Sequence, residues 1–174
     1  LATARLVIYG LIAVLAIGWS IKIAIDGAVP IIGVIPGLML AAVIMEPVIS
    51  SGGFVMPPIG WLRAVRAICT ELDVLMIADE VITGFGRTGR WFACEHDQVV
   101  PDLMSVAKGI TSGYVPLSAS IARGRLAEIF SGTTTQENVH PNTYAAHPVA
   151  CAAALANLRI MEQDRLVANA ETMG

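Results

Sequence analysis

The chain has 174 residues and a formal net charge of −3, enough for one ordinary domain in which about 70% of the unfolded chain's surface can be buried. No run of Lys or Arg suggests an anionic partner, so charge gives no reason to expect nucleic acid. Cys69, Cys94 and Cys151 are widely spaced and odd in number, which implies neither a disulfide framework nor a zinc site and leaves a reducing, cytoplasmic setting as the default.

Hydrophobicity is uneven along the chain. Residues 1–45 carry only Arg5, Lys22 and Asp26 as charges. Residues 6–25, LVIYGLIAVLAIGWSIKIAI, approach the roughly 20 apolar residues that span a bilayer, and Lys22 lies near one end, where its stem can snorkel to the interface. The stretch 28–45 is also uncharged, although Pro30 and Pro36 interrupt it. For this leader, residues 1–39, a membrane anchor or helical hairpin, a buried apolar segment and upstream sequence joined to an unrelated fragment all stay open. A cleavable signal peptide fits less well, because no small-residue cleavage site follows a short apolar core.

From residue 40 the pattern alternates. LAAVIM (40–45), VLMIA (74–78) and LMSVA (103–107) are short apolar runs that end at Glu46-Pro47, Asp79 and Lys108. Runs without alternation, bounded by loop residues, read as strands buried on both faces. Between the first two, Trp61, Val65, Ile68 and Leu72 recur at helical spacing behind Pro57-Pro58, which predicts strand–helix–strand, the unit of a parallel sheet. YVPLSASIA suggests one more strand, and 147–163 is rich in Ala and Leu, with Pro148 suited to a helix's first turn. Met45, Met56, Met76 and Met104 sit at apolar positions and are expected in the core. The fold class is α/β.

In open α/β sheets, ligands sit beyond the carboxyl ends of the strands. Glu46, Asp79 and Lys108 are therefore expected around one crevice. Only two lysines occur, Lys22 and Lys108, so a lysine at a strand end is informative. A buried lysine beside a carboxylate suits Schiff-base chemistry, and with pyridoxal phosphate (PLP) an Asp must face the pyridine nitrogen. Asp79 and Lys108 suit those roles. His140 and His147, seven residues apart with no matching Cys or carboxylate pattern, suggest capping or packing and no metal site. Tyr114 and Trp91 are candidates for a pocket wall or for packing.

AAVIMEPV, ADEVITGFGRTGRWFACE, PDLMSVAKGITSGYVPLSA and NTYAAHPVACAAALANL occur in the order and spacing of a known family. From about residue 41 to 174 the chain resembles the class III PLP-dependent aminotransferases, the ω-transaminase group of fold type I. The resemblance implies that residues 40–174 are part of the large PLP-binding domain, a mostly parallel sheet flanked by helices. It implies Lys108 as the aldimine lysine, Asp79 as the partner of the pyridine nitrogen and Val81 as packing on the ring. Thr143 would reach the cofactor phosphate of the neighbouring subunit of a homodimer, and Glu46 would help set the polarity of the substrate pocket. The implied reaction moves an amino group from an amine or ω-amino acid to a 2-oxo acid such as pyruvate, by a ping-pong route through pyridoxamine phosphate. The alternative is a catalytically inactive truncated or fused fragment, membrane-associated if 6–25 is a true span.

The same resemblance decides how Gly84-x-Gly86-x-x-Gly89 is read. A dinucleotide fingerprint opens a helix at once and places a ribose-binding acid about 20 residues on. RWFACEHDQ follows here with a weak helical pattern, and Asp102 precedes a strand instead of ending one. In the family this stretch is a loop whose glycines serve turns. Pro141 and Ala146 stand where the family commonly has glycine, both on the phosphate-side loop that carries Thr143.

Overall fold

The computed structural model describes residues 42–128 and 143–174. Strands β1 (Ala42–Met45), β2 (Leu75–Asp79), β3 (Leu103–Val106) and β4 (Ala119–Ala122) form one sheet in that order. The first three are parallel and β4 returns antiparallel to β3. Helix α1 (Trp61–Glu71) crosses from β1 to β2, as the spacing of its apolar residues predicts. A short helix α2 (Gly124–Ala127) follows β4, and α3 (Pro148–Gln163) and α4 (Leu166–Met173) close the chain. Helix α4 has no counterpart in the sequence reading. The chain reverses into it at Arg165, whose φ is 51°, and no glycine or proline marks that turn.

The core lies between α1 and one face of the sheet. Leu62, Val65 and Cys69 of α1 are buried with Met76, Cys94 and Val99, and Val43, Met45, Trp61, Phe92 and Met104 pack against them. The first turn of α1 has no cap of its own. Asp97 supplies one from a distance, its carboxylate accepting from the Gly60 and Leu62 amides at 3.2 and 3.0 Å, where the helix dipole also favours negative charge.

Two expectations are corrected. Met56 is 72% exposed, in the loop after β1, and is no core residue. Of the three runs read as buried on both faces, β1 departs, with Ile44 61% exposed, while β2 and β3 carry no exposed residue. Strand β4, for which no such burial is expected, is exposed throughout. An unalternating apolar run reports what both faces can bury, and in the described residues Ile44 remains open to solvent. The apolar stretch 6–25 lies outside the described residues, among which no helix is long and apolar enough to cross a membrane.

At the amino edge of the sheet, Asp102 ties four elements together. Its backbone amide donates to the Met76 carbonyl and its Oδ2 accepts from the Met76 amide at 2.9 Å, joining β2 to the start of β3. Arg66 of α1 and Arg125 of α2 donate to the two carboxylate oxygens, and the Arg123 amide donates to its carbonyl at 3.0 Å. Burial pushes the Asp102 carboxyl up, and the Met76 amide with the two guanidiniums outweighs that and brings it down to about 2. Asp102→Ala should therefore lower the stability measured by denaturant unfolding by about 3 kcal/mol, the scale for breaking a buried ion pair. The carboxyl titrates lower when folded than its ordinary 3.8. Its contribution is thus complete above that value and is lost as pH falls towards 2, a loss Asp102→Asn should not show.

Candidate active site

The parallel register sets the site. Met45 pairs with Ala78, and Asp79 with Ser105, so Glu46, Asp79 and the Lys108 turn all follow the carboxyl edge of three adjacent strands. The Glu80 amide closes this edge by donating to the Ser105 carbonyl at 2.9 Å. Asp79 is the last residue of β2, half-buried, and its Oδ1 accepts from the Val81 amide at 3.1 Å. That bond fixes the carboxylate against the strand end. Val81 is half-buried beside it.

Glu46 is held by Ser50. The Ser50 hydroxyl donates to its Oε2 at 2.6 Å and the Ser50 amide to the same oxygen at 3.0 Å. The Glu46 carboxyl is lowered from its ordinary 4.5, first by the Ser50 hydroxyl and then by the Ser50 amide, against desolvation, with a further lowering from the Lys108 charge.

Lys108 is exposed and opens a single 3-10 turn, Lys108–Thr111. The expected burial of the lysine is not found. Its φ is 44°, the left-handed region that costs an L-residue about 1–2 kcal/mol. Gly109 lets the turn lie on the loop after β2: a Cβ there would sit 3.0 Å from the Phe85 Cβ and 3.3 Å from the Gly84 carbonyl oxygen. A cavity of about 610 Å³ borders this turn and the loop after β2, lined by Phe85, Arg87, Lys108, Ser112, Asn157 and Met161 among others. Lys108 lines it, whereas Asp79, Val81 and Glu46 do not.

The loop after β2 is organised by Glu80, which is fully buried. Its carboxylate accepts from the Ala93 and Cys94 amides at 3.0 and 2.8 Å and from the Thr83 hydroxyl. Gly89, at φ 82°, lies where a Cβ would come within 2.9 Å of the Glu171 Cα, so this glycine serves a turn packed against α4. The Cys94 thiol, pushed up to about 12 by burial and then by the Glu80 charge, is no nucleophile.

Thr143 is exposed in the turn ahead of α3. His147 occupies the N-cap position of α3, and its side chain makes no cap hydrogen bond. Tyr114 is exposed, and Trp91 is half-buried in the loop after β2.

The family model for aminotransferase class III matches residues 37–174. The chain belongs to the class III aminotransferases. Among solved structures it is similar to an aminotransferase of Bacillus anthracis, at 44% identity over 77% of this chain and 30% of that one, with a TM-score of 0.74. A thermostable (S)-enantioselective ω-transaminase of Thermomicrobium roseum is 40% identical over 92% of this chain and 34% of its own, with a TM-score of 0.73. The ornithine aminotransferase of Toxoplasma gondii, solved with partial occupancy of PLP at its active site, is 34% identical over 74% and 29%, with a TM-score of 0.67. The chain spans about a third of the length of these structures.

Three supporting residues escaped the sequence reading of this class III chain. Two adjacent acids at a strand end point to opposite faces, so one of Asp79 and Glu80 had to enter the protein; that signal was present for Glu80. Ser50, four residues past Glu46, had none. Asn157 stood out only as an amide in the Ala- and Leu-rich α3.

Glu80→Ala should leave the Ala93 and Cys94 amides without their acceptor at about 1–3 kcal/mol each, read as faster hydrogen exchange at those two positions. Ser50→Ala should move the Glu46 carboxyl back up towards 4.5, measured by carbon-13 carboxyl titration. An unmoved midpoint would show that Ser50 does not hold it.

Proposed function

We propose that this class III chain carries the lysine-bearing part of a PLP site that moves an amino group from an amine or ω-amino acid to a 2-oxo acid such as pyruvate. The observation that carries the reading is the common edge on which Glu46, Asp79 and Lys108 follow three parallel strands. The donor set fits the cofactor: a fixed carboxylate for a ring nitrogen, a primary amine for an aldehyde, and a β-branched apolar side chain for a ring face.

In this reading Asp79, steadied by the Val81 amide, pairs with the pyridine nitrogen through a charge-assisted bond. Val81 packs on the ring. When bound, PLP supplies an aldehyde that takes up the amine and a protonated ring that draws off the electrons released at the substrate carbon. Lys108 Nζ accepts the substrate's proton and returns it. Glu46, held ionised by Ser50, sets the polarity at the substrate side. Thr143 precedes the N-terminus of α3, a position that favours phosphate, and would meet the phosphate of a second copy. Pairing of two copies is in keeping with the exposed apolar side chains Phe54, Met56 and Ile59 after β1 and Tyr114 after the Lys108 turn. The reading takes residues 1–39 as a separate leader.

Lys22 and Lys108 are the only lysines of the chain, so the test has an internal reference. The chain is incubated with PLP, reduced with borohydride and mapped by mass spectrometry. One pyridoxyl group per chain on Lys108, absent from Lys108→Ala, is expected. Asp79→Asn should weaken cofactor retention by about tenfold or more, the effect of roughly 1.4 kcal/mol. Labelling of Lys22 alone, or equal labelling of Lys108→Ala, overturns the reading. Fixation at Lys108 with no conversion of pyruvate to alanine from any amine donor would leave the binding and overturn the proposed reaction.

A further inference from the structure

The turn that carries Lys108 is short, and its first residue holds a backbone conformation that L-residues avoid. Within the turn, the Ile110 amide donates to the Ala107 carbonyl at 3.2 Å and the Ser112 amide to the Gly109 carbonyl at 3.3 Å. Both bonds are long, and a single 3-10 turn has little cooperativity of its own. Something else must keep it from relaxing.

That group is Asn157 of α3. Its Nδ2 donates to the Gly109 carbonyl at 2.9 Å and to the Ile110 carbonyl at 3.1 Å, and its Oδ1 accepts from the Ser112 hydroxyl at 2.7 Å. Two carbonyls facing the nitrogen and a hydroxyl facing the oxygen fix which way the carboxamide points. One side chain thus grips three of the four residues that follow Lys108. Asn157 is also the sole amide or charged side chain between Pro148 and Leu158, on a helix whose other inward residues there are small and apolar. The grip reaches the turn from a separate element, so the position of Lys108 is referred to the body of α3 and not to its own loop.

We propose that Asn157 is the positioning residue for Lys108: its carboxamide holds the Lys108–Thr111 turn in the conformation that presents the lysine at the strand edge. The proposal rests on the functional reading of Lys108 given above. Asn157→Ala removes the carboxamide with the residue best suited to a helix interior, Asn157→Leu removes it while keeping bulk, and Asn157→Gln keeps a carboxamide one methylene further out.

Two measurements on the full chain decide it. Hydrogen exchange of the peptide covering residues 103–115 is compared first, without cofactor. Exchange at the Ile110 and Ser112 amides should quicken by about tenfold in Asn157→Ala and Asn157→Leu, the factor of roughly one net hydrogen bond, with far-UV circular dichroism unchanged and with partial recovery in Asn157→Gln. Borohydride fixation of PLP at Lys108, scaled to Lys22 in the same molecule, should fall in parallel and recover in parallel. Unchanged exchange at the turn overturns the proposal whatever the cofactor does. Faster exchange with undiminished fixation at Lys108 overturns it too, since the turn would then be held without the lysine being positioned. If Lys108 in the unaltered chain takes no PLP, the proposed function falls, and the exchange experiment alone decides whether Asn157 holds the turn.

Discussion

Parallel pairing of β1, β2 and β3 delivers an acid, an acid and an amine to one edge of a sheet, and the site depends on that register. A slip of one residue between β2 and β3 would exchange the faces of the whole strand. Asp79 would then turn towards the side that buries Met76 and Ala78, both fully covered. The register is pinned at the opposite edge, where Asp102 exchanges hydrogen bonds with both the amide and the carbonyl of Met76. The geometry of the carboxyl edge is therefore secured by a buried carboxylate at the amino edge. The Met76 amide, with the arginines Arg66 of α1 and Arg125 of α2, keeps that carboxylate ionised despite its burial.

Much of this was legible in the residues. The three apolar runs, the helical spacing of Trp61 to Leu72 and the Pro148 start of the long helix each appear within two residues of the observed elements. Helix α1 was readable because its buried face, Leu62, Val65, Ile68 and Cys69, includes Val65 and Ile68 of the four residues whose spacing marks it, although Leu72 is 40% exposed. Helix α4 was not, because none of its residues is buried and its polarity carries no period. The face of β1 that bears Ile44 was misread for a related reason. Composition reports capacity for burial, while actual burial depends on what lies opposite. Of the site, the residues at strand ends were visible, because topology alone assigns them to one edge. Ser50, Glu80 and Asn157 act through hydrogen bonds to loops, and loop paths leave little trace in a linear pattern.

Asp79 and Glu80 show how adjacency in sequence becomes division of labour in space. Alternation across the strand sends one side chain to the edge and the other into the protein. The inward carboxylate would be costly alone. Three donors from the following loop satisfy it, and in doing so they fold residues 81–94 back onto the strand end. The loop packed in this way meets the Lys108 turn through Phe85 and Gly109. Glu80 thus shapes the wall against which the lysine turn rests, while Asp79 remains at the edge with one oxygen engaged by Val81.

The Lys108 turn is where these constraints converge. A lysine with φ of 44° lies about 1–2 kcal/mol above its relaxed conformation, and the residue is exposed, so its own side-chain packing cannot supply the difference. Backbone strain at an exposed residue persists only when its surroundings over-determine it. Here two other elements do so: the loop after β2 lies against Gly109, and Asn157 grips two carbonyls and a hydroxyl from α3, while the Thr111 hydroxyl adds a local bond to the Val115 carbonyl at 2.7 Å. Relaxation of Lys108 to an ordinary φ would disturb these contacts, those of Asn157 first among them. A long, flexible amine is thereby attached to a backbone that cannot follow it, so its reach is set by its own four-carbon stem and its point of origin by the fold.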